Sequence, residues 1–168
     1  MDFVRSDIQA YCEAHTTQPP SFLNELEQET WRKVIAPRMV SGAYQGRMLS
    51  TVSRLLKPKR ILEIGTYTGY SALCMSEGLA DGGVIHTIDI NAELRPRIER
   101  FMVKAGFADV IHLHIGNALE IVPTLEGPWD LVFIDADKEN YLHYYDLLMS
   151  RLKLGAIILI DNVLWSGK

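Results

Sequence analysis

Between residues 59 and 161 the sequence alternates short apolar runs with helical patterns, and this alternation constrains the fold more than any other feature. The runs are residues 61–64, 84–88, 110–115, 131–134 and 156–160. Strands that are apolar on both faces belong in a parallel sheet covered by helices on both sides. The segments between them, 71–79, 93–105, 118–122 and 139–152, read as helices. Pro96 is expected in the first turn of the second of these, where a missing N–H costs nothing. Right-handed crossovers then predict an α/β, doubly wound sheet in the order 3-2-1-4-5, with a switch point between strands 1 and 4. The first sixty residues read differently. They carry helical patterns at 2–14, from a capping Ser21 to Val34, and at 44–56, stopped by Lys57-Pro58. The chain thus reads as a single domain over residues 1–168, with a helical cap (1–58) ahead of a Rossmann-like core (59–168).

Composition narrows the function classes. Apolar residues make up 48% and charged residues 23% of the 168, values of a globular chain rather than a disordered one. Lys and Arg number 17 against 21 Asp and Glu, a net charge of −4 with no basic block, which speaks against a nucleic-acid or membrane-surface partner. Cys12 and Cys74 are far apart and in no C-x-x-C spacing, against a zinc knuckle or a disulfide framework and in keeping with a reducing cytoplasm. Charges follow Met1 where a signal peptide needs an apolar stretch, and the longest apolar run, 154–160, falls far short of the ~20 residues of a membrane span. A soluble, cytoplasmic protein is expected.

Polar residues gather where each strand ends: Gly65-Thr66-Tyr67-Thr68-Gly69 after the first, Asp89 after the second, Gly116-Asn117-Ala118 after the third, Asp135-Ala136-Asp137-Lys138 after the fourth and Asp161-Asn162 after the fifth. Any one of them can be a turn residue. Together they mark the edge where open parallel sheets bind ligands. The glycine turn is not G-x-G-x-x-G, since Tyr67 stands at the middle position. That weakens a nicotinamide or flavin reading and suits an adenosine ligand without a pyrophosphate. Asp89 is placed to accept from two ribose hydroxyls, or else to cap the next helix. Asp135, Asp161 and Asn162 are hard oxygen donors on neighbouring strands about 5 Å apart, a set suited to Mg²⁺ rather than zinc. Lys138 is a general base if a metal and burial lower its pKa, or else a surface lysine at a helix start. His112 and His114 alternate with Leu113 and read as one face of a strand, not as metal ligands.

These segments closely resemble the cation-dependent O-methyltransferases that use S-adenosylmethionine, the caffeoyl-CoA and catechol O-methyltransferase group. The resemblance rests on Leu62-Glu63-Ile64-Gly65-Thr66-Tyr67-Thr68-Gly69-Tyr70-Ser71, Ile88-Asp89, Gly116-Asn117-Ala118-Leu119, Phe133-Ile134-Asp135-Ala136-Asp137-Lys138-Glu139-Asn140-Tyr141 and Asp161-Asn162-Val163-Leu164-Trp165. It runs from about Met39 to Lys168. It implies that Glu63, Gly65 and Ser71 line the methionine end of S-adenosylmethionine, that Asp89 holds the ribose, that Ala118 lies against the adenine and that Ser41 touches the cofactor. Asp135, Asp161 and Asn162 would bind Mg²⁺ or a similar divalent cation, with Asp135 also beside the cofactor and Lys138 as the base. Trp165 is placed to wall an aromatic substrate, or simply to pack. Asn117 stands where the family usually has aspartate. Family members continue beyond the position of Lys168 with two further strands, so strand 5 is expected as a bare apolar edge and the chain as a homodimer. The reaction implied is methyl transfer to a hydroxyl of a catechol-like or hydroxycinnamoyl-like aromatic. The rivals are a binding-only remnant lacking the C-terminal strands and a nucleotide-dependent oxidoreductase.

Overall fold

The computed structural model describes residues 5–164, and of Gln9 only the backbone. Its helices are α1 (Ser6–Ala14), α2 (Ser21–Lys33), α3 (Gly42–Leu56), α4 (Tyr70–Ser76), α5 (Arg95–Ala105), α6 (Ala118–Ile121) and α7 (Tyr141–Met149). The strands β1 (Arg60–Ile64), β2 (Val84–Asp89), β3 (Ile111–Ile115), β4 (Trp129–Ile134) and β5 (Leu152–Ile160) form one sheet in the order β3-β2-β1-β4-β5, the order expected from the sequence. Each neighbouring pair runs parallel.

The apolar runs of β1 and β4 are continuous because helices cover both of their faces. Ile61, Ile85, Ile111, Leu131 and Phe133 pack toward Leu23 and Leu26 of α2, Leu49 of α3, Leu73 of α4 and Phe101 of α5. Leu62, Ile64, Ile88, Val132 and Ile134 pack toward Ala118 of α6 and Tyr144 and Leu148 of α7. Leu62, Ile61 and Val132 are fully buried. Each such side chain contributes about 1.5–3 kcal/mol, so the centre of the sheet is its most stable part.

Local chemistry moves several boundaries from those expected. Residues 2–4 of the first predicted helix lie outside the described residues. Ser21 is the first residue of α2 rather than its cap: the extended Pro20 holds the N-cap position, and no side chain caps the helix. Pro96 does sit at the first turn of α5, after a 3₁₀ turn at Ala92–Leu94. Residues 138–140 form a 3₁₀ turn, so α7 begins only at Tyr141. β5 starts at Leu152, four residues earlier than the apolar run suggests. Leu152 pairs with Trp129 and Ile157 with Leu131, and Gly155, at φ +85°, lies in the irregular stretch between those pairs. Leu154, Ile157 and Ile160 of this edge strand are exposed.

The N-terminal helices are joined to the core mainly by α3 against α4. Glu77, just past α4, accepts from Arg47 at 2.6 and 2.9 Å, from Arg54 at 2.9 Å and from Ser50 at 2.8 Å. Burial alone raises the Glu77 carboxyl, but these donors bring it down to about 2. Gly78 lets the two segments meet: a Cβ there would lie 2.2 Å from the Ser53 carbonyl carbon and 2.3 Å from the Arg54 nitrogen. Gly78→Ala is therefore expected to lower the free energy of unfolding by about 1–3 kcal/mol in urea titration, as overpacking does. Leu55→Ala, at an exposed position of α3, is expected to change it by no more than about 0.5 kcal/mol.

Candidate functional site

The hydrogen-bond ladder continues one residue past the strands and lays out the site. Gly65 N donates to Ile88 O, Gly116 N to Asp89 O, Asp135 N to Ile64 O and Asp161 N to Ile134 O, each at 2.9 Å. Ile64 pairs with Ile88 and Ile134, and Ile134 with Ile160, so Gly65, Asp89, Asp135 and Asp161 stand at one level along the carboxyl edge. Gly65 (φ +106°) is held tightly against β4: a Cβ there would fall 1.9 Å from the Asp135 carbonyl oxygen. Only glycine fits that approach.

Glu63 lies at the heart of this edge, fully buried near the end of β1. The Thr87 hydroxyl donates to its Oε2 at 2.5 Å, and the Thr66 and Thr87 hydroxyls are themselves 2.5 Å apart. Oε1 is buried with no hydrogen-bond partner. Burial raises the Glu63 carboxyl to about 8. The Ser71 and Thr87 hydroxyls oppose the rise, and the Asp135 and Asp89 charges add to it. Ser71 itself is buried at the start of α4. Asp89 accepts from Tyr67 N at 2.6 Å through Oδ2 and from Asn91 N at 2.8 Å through Oδ1. It therefore braces the glycine turn and also turns the chain into the next helix. The Tyr67 hydroxyl reaches the carbonyls of Ile35 and Ala36 at 3.1 and 3.2 Å, tying the turn to the N-terminal segment.

A second group of side chains surrounds the ends of β4 and β5. Burial and the charge of Asp161 raise the Asp135 carboxyl, against the pull of Lys138. Lys138 Nζ lies 3.5 Å from Asp135 Oδ1, 3.2 Å from Ala136 O and 2.5 Å from the Tyr141 hydroxyl. That hydroxyl also lies 3.1 Å from the Asp161 carbonyl oxygen, to which it donates. Burial works to lower Lys138, but Tyr141 and Asp135 outweigh it and hold the ammonium above the ordinary lysine value, against the lowering expected for a base. Asp161 Oδ2 accepts from Gln45 Nε2 at 2.8 Å, and Oδ1 from Asn162 N at 2.6 Å. Asn162, at φ +56°, is exposed at the same corner. Asp137 turns away from this group and accepts from the Tyr144 hydroxyl at 2.6 Å. Among the described residues no three His, Cys, Asp or Glu side chains form a ready-made metal cluster. The trio here has two carboxylates and an amide.

Ser41 is the N-cap residue of α3, one turn before Gln45. Ala118 is buried at the start of α6, where Asn117 Oδ1 caps the helix by accepting from Leu119 N at 3.0 Å. Asn117 thus has a local structural task. Trp165 lies outside the described residues. The sequence reading missed Thr66 and Thr87 beside Glu63, and Gln45 and Tyr141 beside Asp161. Spacing held a signal for two of them, since Gln45 follows Ser41 by one helical turn and Tyr141 follows Lys138 by three residues.

The family model described as O-methyltransferase matches residues 13–168. Caffeoyl-CoA O-methyltransferase 1 of Eucalyptus globulus is 40% identical over 134 residues, 77% of this chain and 54% of that protein. The chain thus spans about half the length of the curated relatives it matches. A methyltransferase of Podospora anserina, solved with SAH bound, is 35% identical and superimposes with a TM-score of 0.90 over 96% of this chain and 70% of that one. The O-methyltransferase of Streptomyces achromogenes involved in tomaymycin synthesis, solved with SAM, is 30% identical, with a TM-score of 0.88 over 96% and 74%.

The buried acid sets a pH dependence. A carboxyl raised from 4.5 to about 8 on folding binds more protons folded than unfolded, so its contribution to stability is full below pH 4.5 and is lost as pH rises through about 8. In chemical unfolding across that window, Glu63→Gln is expected to flatten the decline seen in the parent chain. An equal decline in both would contradict the assignment.

Proposed function

The chain belongs to the O-methyltransferase family, and on that premise we propose that it transfers a methyl group from S-adenosylmethionine to a hydroxyl of a catechol-like or hydroxycinnamoyl-like aromatic, with a divalent cation at Asp135, Asp161 and Asn162. The observation that carries the proposal is the placing of Asp135 and Asp161 at one corner, level on neighbouring strands, Asp135 N bonded to Ile64 O and Asp161 N to Ile134 O, where burial and then the charge of Asp161 raise the Asp135 carboxyl. That corner adjoins the tight Gly65 turn and the partnerless Glu63 Oε1.

Bound S-adenosylmethionine supplies a methyl group on a sulfonium, an electrophile already activated. The residues fit such a ligand. Glu63 Oε1 is a buried acceptor lacking a donor, which the ligand's ammonium group provides. Ser71 lies beside it, and Gly65 lets the backbone come close. Each Asp89 oxygen accepts one backbone N–H and keeps a lone pair for a ribose hydroxyl. Ser41 and Ala118 flank the methionine and adenine ends in this reading.

The oxygen donors of Asp135, Asp161 and Asn162 also fit a hard divalent ion such as Mg²⁺, which would supply Lewis-acid stabilisation of a phenolate. Gln45 orients Asp161 by its bond to Oδ2. Tyr141 aligns Lys138 by its 2.5 Å contact and leans on the Asp161 carbonyl. Lys138 is the proton acceptor in this reading: Tyr141 first and Asp135 second now hold its proton, and a cation bound at Asp135 would remove the second of these contributions. The rest of the rate comes from holding the acceptor oxygen in line with the methyl group. We further assign a homodimer, a small hydroxylated aromatic as the substrate and a cytoplasmic setting, the last supported by the free thiols of Cys12 and Cys74.

A binding-only chain is the second reading, favoured by Lys138, whose ammonium Tyr141 and Asp135 hold above the ordinary lysine value. One assay separates the two: transfer of labelled methyl from S-adenosylmethionine to a panel of catechols, with Mg²⁺ and with EDTA. Product is expected with Mg²⁺ and not with EDTA. Groups behind a metal ligand are worth about 10- to 100-fold in activity, so loss of the ligand in Asp161→Ala is expected to cost about 100-fold or more. S-adenosylmethionine binding without any product would favour the second reading.

A further inference from the structure

Two strands away from Asp135 the sheet carries a cluster that methyl transfer does not use. His86 on β2 and His112 and His114 on β3 share one face, with His86 and His112 as register partners. His86 Nδ1 and His114 Nε2 are 3.0 Å apart. Their rings stack with centroids 5.2 Å apart and planes 16° from parallel. The His112 ring lies 5.0 Å from that of His86, and the Trp129 ring meets His86 edge-on at 5.6 Å. Sequence spacing shows His112 and His114 but not the third ring, which only strand pairing brings in.

A hydrogen bond between two imidazoles needs a lone pair on one of them, so the pair is not doubly charged. Burial, then the neighbouring rings of His114 and His112 and the charge of Arg60, bring His86 down to about 4. Burial, His112 and Arg95 lower His114. Both rings are therefore neutral at physiological pH, the form that ligates metals. The two arginine charges that face the cluster are themselves paired, Arg60 with Glu126 at 3.0 Å and Arg95 with Glu99 at 3.2 Å.

We propose that His86, His112 and His114 bind one borderline divalent transition ion of the Zn²⁺ class, with nitrogen donors from two adjacent strands. Two nitrogens each about 2.0–2.1 Å from a tetrahedral ion lie about 3.3 Å apart, so the His86–His114 pair opens slightly from 3.0 Å and both rings turn until their lone pairs leave the line between them and meet on the ion. The hydrogen between them moves to the other nitrogen of its own ring, and no proton is lost. No three such side chains among the described residues already converge on one point, so the exposed His112 ring must swing to complete the set. Nitrogen donors select Zn²⁺, Co²⁺ or Cu²⁺ over Mg²⁺, which sets this site apart from the oxygen trio at Asp135. The bound ion would cross-link the edge strand β3 to β2.

Co²⁺ is the probe, because nitrogen ligation in a tetrahedral site gives it a strong visible absorption. The untagged full chain is titrated with Co²⁺ in excess Mg²⁺, and then with Zn²⁺. A one-to-one absorption that Zn²⁺ abolishes is expected, unchanged in Asp161→Asn and weakened by about tenfold or more in affinity in His112→Ala and His114→Ala. His112 is exposed, so its variant keeps the fold, which near-UV circular dichroism checks. No absorption, an absorption indifferent to His112→Ala, or one lost in Asp161→Asn would overturn the proposal.

Discussion

The parallel register of β1 with β2 and β4, carried one hydrogen bond beyond the strands, is the constraint on which the rest of the site depends. Because side chains alternate along a strand, a slip of one residue would turn every acid at the carboxyl edge to the opposite face. The slip is blocked from both sides of the sheet, since Ile61 and Leu62 are fully buried toward different helical layers. Gly65 adds a second lock. Its backbone lies so close to the Asp135 carbonyl that no side chain can stand between them. The loops present the functional groups, and the buried strands decide where they are presented.

That edge concentrates negative charge, and the structure shows how each acid is accommodated. Asp89 receives two backbone N–H groups, Asp161 receives Gln45 and a backbone N–H, and Asp135 has Lys138. Glu63 has the Ser71 and Thr87 hydroxyls, and burial still raises its carboxyl against them. Buried charges demand partners, and among the described residues Glu63 Oε1 and the Thr68 hydroxyl are buried at this edge without one. The N-terminal segment takes part through Tyr67, whose hydroxyl holds the chain at Ile35 and Ala36.

Much of this was legible in the residue order. Apolar runs separated by helices specify a covered parallel sheet, and the order of the strands followed. The acids Asp89, Asp135 and Asp161 were legible because each directly ends such a run. What stayed hidden depends on distance in sequence. Gln45 meets Asp161 across 116 residues, and Thr87 meets Glu63 across 24. The early start of β5 was hidden because Lys153 and Gly155 break its apolar pattern. The capping role of Ser21 failed because Pro20 already sets an extended entry into α2. The raised state of Lys138 arises from Tyr141 and Asp135 acting together, which burial alone would reverse.

Glu63 has a consequence for how the molecule handles charge. Its carboxyl is neutral near neutral pH because the proton is cheaper than a buried anion. A cationic group seated against Oε1 displaces that proton into solvent, so charge enters and leaves in equal amounts. Binding is then an electroneutral exchange. Hydrogen ions would compete with such a ligand, its affinity would strengthen as the medium turns alkaline toward the carboxyl's own pKa, and the heat of binding would vary with the ionisation enthalpy of the buffer that receives the proton.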